Sequence, residues 1–127
     1  MDRILIIRDV QLQAIAEVLA EPFRQRVLEH IHRCFPARCG MRTEQACESL
    51  VREGISKAQR YGIITERDIV MFIDLMVVFG RNFESNPRYP KAATILSDRN
   101  STGHSKVVQL YAMFNDMSFE DRYNTDD

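Results

Sequence analysis

Apolar residues recur along this chain at intervals of three and four, broken at a few identifiable points. Leu12, Ile15, Ala16 and Leu19 stand at i, i+3, i+4 and i+7, which predicts an amphipathic helix from Val10 with Asp9 as its N-cap. Pro22 lacks the N–H that a helix interior needs and crowds the carbonyl four residues back, so the helix is expected to kink or restart there. Phe23, Val27, Ile31, Cys34 and Phe35 carry the apolar stripe on to Pro36. Residues 36–42, with a Pro and a Gly, then read as a loop.

Thr43 is a suitable N-cap for a second helix, whose apolar line is Cys47, Leu50, Val51, Gly54, Ala58 and Tyr61. Its opposite face carries Glu48–Arg52 and Glu53–Lys57 at i, i+4, pairs worth only tenths of a kcal/mol. Gly62 suits the left-handed position that ends such a helix. Thr65 can cap the next one, with Asp68 reaching back in an approximate capping box. From Glu66 to Phe79 the pattern is apolar almost all round: Ile69, Phe72, Ile73, Met76 and Phe79 form one stripe, and Met71, Leu75 and Val78 another. A helix that is hydrophobic on all sides is buried on all sides, so 66–79 is expected at the centre, ended by Gly80.

Arg81–Tyr89 is a polar, turn-rich loop, and Pro90 fits the first position of a short helix reaching Leu96. After a break at Ser97–Gly103, a final helix, His104–Met117, places Val107, Leu110, Tyr111, Phe114 and Met117 on one face. From Ser118 onward the chain is polar and acidic and is expected to fray. At the other end Arg3–Arg8, rich in β-branched residues, reads as a short strand or as an extended arm packed across helices. With no internal repeat or linker, residues 1–127 read as a single all-α domain, a compact bundle of five or six helices around 66–79.

Composition narrows the function. Seventeen Lys and Arg against eighteen Asp and Glu give a net charge of −1, which argues against electrostatically driven phosphate binding by the protein as a whole. Hydrophobic content of 45% at near-zero net charge argues against disorder. Three Cys cannot all pair and are too sparse for a disulfide scaffold. The N-terminal Met-Asp-Arg-Ile-Leu-Ile-Ile-Arg holds only four consecutive apolar residues, too few for a signal-peptide core. The most apolar window, Ile69–Phe79, is interrupted by Asp74 and falls short of the roughly 20 residues that span a bilayer. These features predict a soluble protein of a reducing compartment, the cytoplasm, with no membrane and no nucleic acid as partner.

No chemistry-bearing constellation stands out. His30, His32, Cys34 and Cys39, with Cys47 further on, form the densest group of metal-ligand types. His30 and His32 are two apart on a helix and so face different ways, and Cys34 fits the apolar stripe, so no metal site is expected. A Cys/His pair is available, but no signature places an oxyanion hole beside it. There is no Gly-rich phosphate loop, and capping accounts for Glu66 and Asp68. No catalytic residue, metal or cofactor is therefore expected. Ala58-Gln-Arg-Tyr-Gly62-Ile63 hints at a helix-turn-helix, yet six residues after Gly62 comes Asp68, with the apolar residue one later, and helix 66–79 is too apolar to present to a DNA groove.

Two features point outward. Ile4, Leu5, Ile6 and Ile7, as an unpaired strand, would offer open backbone groups to a partner's strand. In the loop, Arg81, Phe83, Arg88 and Tyr89 are residue types enriched at interface centres, unless both rings fold back onto the core. Asp74, the lone charge within the central helix, marks either a solvent-facing line or a basic partner.

The stretch from Gly54 to Leu96 reads as a unit: Gly54-Ile55-x-x-Ala58-x-x-Tyr61-Gly62-Ile63, Glu66-x-Asp68-Ile69, Phe72-Ile73-x-Leu75-Met76, Phe79-Gly80-x-x-Phe83, then Asn86-Pro87-x-x-Pro90-x-Ala92-x-x-Ile95-Leu96. It resembles a family of small proteobacterial proteins encoded near type VI secretion effectors and their adaptor chaperones. Where that family often has acidic residues after the position of Phe83, this chain keeps Glu84 alone, and Lys91 stands where the family often has Trp. The resemblance rests on turn and core residues, and it carries over no catalytic residue. It implies a non-catalytic, cytoplasmic co-chaperone or adaptor whose partner is an effector or its adaptor chaperone, with self-association left open. Two other readings stand beside it: an immunity protein that occludes a toxin, and a helix-turn-helix-like DNA-binding regulator.

Overall fold

The computed structural model describes residues 9–40 and 43–117, with side chains described from residue 21 onward apart from 39 and 40. Six helices and one 3-10 turn follow in order: α1 (Asp9–Cys34), α2 (Pro36–Gly40), α3 (Glu44–Arg60), α4 (Glu66–Phe79), the turn Phe83–Ser85, α5 (Pro90–Ser97) and α6 (Gly103–Asp116). No strand occurs among the described residues, and the architecture is an all-α bundle. The strand or arm expected at Arg3–Arg8, and the tail from Ser118, lie outside the described residues.

Helix α4 is the hub, packing against α1, α3, α6 and the 3-10 turn, while α5 packs on that turn and on α6. Phe72, Ile73 and Met76 of α4 are wholly buried. They meet Val27 and Ile31 of α1, Leu50, Val51 and Ala58 of α3, and Val107 and Leu110 of α6 in one continuous core. Apart from Ala58, each such side chain contributes on the order of 1.5–3 kcal/mol relative to leaving it in water.

One expectation at α1 is narrowed and one beyond it is corrected. Of the kink or restart expected at Pro22 there is no restart, since the helix runs through it as one element. Pro22 is exposed, so water can replace the donor that proline lacks. Residues 36–40, expected in a loop, form the short helix α2, opened by Pro36 at its first position, where a missing N–H costs nothing.

The junction of α3 and α4 follows the local signals closely. Thr43 Oγ1 accepts from the Ala46 N–H at 3.0 Å, and Thr65 Oγ1 from the Asp68 N–H at 3.2 Å. Gly62 sits at φ +83°, with its N–H on the Gln59 carbonyl and the Ile63 N–H on the Ala58 carbonyl. That double closure is a Schellman motif, and its apolar residue, Ile63, is fully buried. The capping box at Thr65 is half realised, because the buried Asp68 carboxylate faces His104 Nδ1 of α6 at 3.1 Å. Lys106 Nζ also reaches this junction, donating to the Tyr61 carbonyl at 2.7 Å. Helix α6 is thus seated on the end of α3 by a hydrogen bond to one of its otherwise orphaned carbonyls.

Candidate partner-binding site

The loop between α4 and α5 is organised around Lys57 of α3. Its ammonium donates to the Arg81 carbonyl at 2.7 Å and to Asn82 Oδ1 at 2.8 Å, and lies 2.8 Å from Glu84 Oε2. Arg81 is drawn back to α3 as well, donating from Nε to Glu53 and from Nη2 to Ser49 Oγ at 2.8 Å. With its backbone tied down, the loop turns its two rings inward. Phe83 is fully buried and Tyr89 is 2% exposed, so the outward reading of these rings is corrected. The apolar core outcompetes a surface role because each ring finds aromatic neighbours. Phe79 and Phe114 stack with centroids 3.8 Å apart, and Tyr89 meets Phe114 edge-on at 5.1 Å. Phe83 contacts both Phe114 and Phe72.

Of the loop residues singled out from the sequence, Arg88 alone remains exposed, while Arg81 is half-buried in its α3 contacts. Ile4, Leu5, Ile6 and Ile7 lie outside the described residues. Arg88 stands at the mouth of a groove of about 760 Å³ between α5 and α6. Tyr89 and Pro90 form the near end. Ile95 of α5 and Ala112 and Met113 of α6 supply apolar wall, and Met117 closes the side after α6. Lys91 joins Arg88 on the rim, and neither side chain has an ion-pair partner among the described residues. Among the described residues, Asp116 is the one acidic residue of the lining. A second hollow of about 590 Å³ shares Thr94, Ile95 and Gln109 with the groove and extends it to Asp98. Gln109 is held there by the hydroxyls of Ser101 and Ser105.

Sequence reasoning named Lys91 and Ile95 only as positions of the resemblance, not as site residues, and did not single out Met113. One signal was present: Met113 falls outside the Val107–Leu110–Phe114 stripe, so α6 is apolar on more of its circumference than one packing partner covers. Methionine is a suitable lining for such a surface, since its flexible, polarisable side chain adapts to varied apolar shapes.

Elsewhere, the polar residues form internal ties. Asp74 finds a basic partner: His30 Nε2 lies 3.0 and 3.2 Å from its two carboxylate oxygens. Burial pushes the Asp74 carboxyl above its ordinary range, with the His30 charge and hydrogen bond opposing that rise. Tyr111 of α6, which donates to the Met71 carbonyl at 2.7 Å, has its phenol pushed up by burial and by the Asp74 charge. Among the described residues no group of three or more His, Cys, Asp or Glu is arranged to hold a metal ion. Nor, among the described residues, is any helix long and apolar enough to cross a membrane. As a recognition helix α4 has little to offer, since eight of its fourteen residues are buried. No family model, curated protein or solved structure matches this chain.

Proposed function

We propose that the protein is a non-catalytic protein-binding accessory factor that receives an amphipathic segment of its partner in the α5–α6 groove. The observation that carries this reading is the groove itself: an open apolar trough with two methionines, rimmed by the cations Arg88 and Lys91, which have no ion-pair partner among the described residues. Apolar anchors of a partner helix would fill the Ile95–Met113–Met117 trough, and acidic residues flanking them would meet the two cations. Such binding is stoichiometric and needs no bond-making residue. The likeness of residues 54–96 to proteins encoded beside type VI secretion effectors supports a cytoplasmic setting and, as partner, an effector or its adaptor chaperone held until handover.

The test is a photo-crosslinking residue at Lys91, on the exposed rim, introduced into the full chain in its own host. A crosslinked peptide of amphipathic pattern with an acidic flank, lost when Met113→Glu is added, supports the reading. Absence of any crosslink, or one unaffected by Met113→Glu, overturns it. If the crosslinked chain is an adaptor chaperone or effector, the co-chaperone role follows. If it is a toxin domain whose killing the protein relieves, the role is immunity.

A further inference from the structure

Cys34 ends α1, and its side chain is exposed, whereas the Cys47 thiol is sealed in the core. One turn earlier on the same helix His30 turns Nδ1 towards it, with Sγ and Nδ1 3.6 Å apart. The far nitrogen of that ring is held by the Asp74 carboxylate of α4. An ionised carboxylate only accepts, so Nε2 is the nitrogen that carries a proton, and whenever the ring is neutral Nδ1 presents its lone pair to the thiol. Phe35 packs edge-on against the imidazole at 6.5 Å, and Asp74 is half-buried, so the ring is held from two sides. A nucleophile, a base within reach of its proton and a carboxylate that orients the base therefore stand in line.

We propose that Cys34 is a reactive thiol that is modified by small-molecule disulfides. The Cys34 proton passes to His30 Nδ1, and Sγ attacks one sulfur of the disulfide R–S–S–R. A Cys34–S–S–R bond forms, the original S–S bond breaks, and R–S⁻ leaves with the electron pair and recovers a proton from the imidazolium. Cys34 is oxidised to the mixed disulfide as the leaving thiol is reduced. The other charged groups around this line do not supply the effect. The carbonyl end of α1 disfavours a thiolate, Arg33 and His32 are exposed on their own helix, and the Arg38 guanidinium is engaged by the Val77 carbonyl. Tyr111, on the far side of Asp74, has its proton committed to the Met71 carbonyl.

The experiment measures release of coloured thiolate from 5,5′-dithiobis(2-nitrobenzoate) by the full chain carrying Cys39→Ser, with the labelled site assigned by peptide mass. At about pH 6.5, well below the ordinary thiol range, Cys34 is expected to react at least about ten-fold faster than in the same chain with His30→Asn, and ten-fold faster than N-acetylcysteine amide in the same buffer. Asp74→Asn is expected to fall between. At about pH 9.5, where thiols ionise unaided, the gap to His30→Asn is expected to close to within about two-fold. Equal rates at the lower pH overturn the proposal, and so does a gap that persists at the higher pH, since that reports access and not proton transfer. The comparison with N-acetylcysteine amide needs no variant at His30, so a wild-type rate no faster than that reference overturns it even if His30→Asn does not fold.

Discussion

The Lys57 ammonium and the Glu84 carboxylate lie 2.8 Å apart with side chains 7% and 11% exposed, joining α3 to the 3-10 turn across 27 residues of sequence. Glu84 keeps one oxygen buried without a hydrogen-bond partner among the described residues, so the Lys57 contact is what offsets its desolvation. Removing one member of such a pair strands the other, whereas removing both does not. Lys57→Met is therefore expected to lower stability by about 3–5 kcal/mol, and adding Glu84→Gln to recover at least about 1 kcal/mol of it. Urea denaturation of the two variants followed by circular dichroism checks both statements. A double variant no more stable than Lys57→Met would show that the lysine acts through its contacts with Arg81, Asn82 and Glu53 and not through Glu84.

The groove makes a prediction of opposite kind. Met113 is half-buried on the wall of an open trough, where a carboxylate can still reach water. Met113→Glu is expected to leave the thermal midpoint nearly unchanged, with a stability effect within about 1 kcal/mol, while weakening partner capture at least about ten-fold. Parallel melting and capture measurements separate the two. A large loss of stability would mark Met113 as core.

Gly103 sets propensity against packing. A Cβ there would lie 2.1 Å from the Gly62 carbonyl oxygen and 2.7 Å from Ile63 Cα, backbone atoms that cannot swing aside. Alanine is the better helix former by up to about 1 kcal/mol. The overlap is expected to win, with Gly103→Ala destabilising by about 1–3 kcal/mol. A midpoint in urea above wild type would show that α6 lifts off the turn at little cost.

Asp74 gives a pH dependence whose sign can be worked out. Its folded-state carboxyl is raised above the ordinary 3.8, so between that value and the raised one the native chain holds more proton than the unfolded chain. Stability from this group is fully present below the unfolded value and is lost as pH rises through the folded one. Asp74→Asn, which mimics the protonated form, is therefore expected to gain on wild type as pH climbs from about 4 to about 7. Urea midpoints for both proteins across that range test it, and a constant difference would remove Asp74 as the source.

What the chain declares in advance is its local grammar. Thr43, Gly62 and Thr65 fix the ends of α3 and α4 through bonds to residues three or four positions away, and the all-round apolarity of 66–79 places α4 at the centre. The fate of Phe83 and Tyr89 was not readable in the same way. An isolated ring in a loop has no periodicity, and its direction here is decided by Phe114, 31 and 25 positions on. The His30–Asp74 pair spans 44 residues and depends on where α1 crosses α4, which no spacing encodes. The groove is less visible still, because it is the space that α5 and α6 leave between them.

The inward turn of Tyr89 has an optical consequence. The chain contains no tryptophan, so its near-ultraviolet dichroism arises from tyrosine and phenylalanine, and rings held in fixed packing contribute to such a spectrum. Tyr89 belongs both to that locked set and to the lining of the groove. A molecule settling into the trough will therefore perturb a chromophore the protein already carries, and occupancy can be followed on the unlabelled wild-type chain.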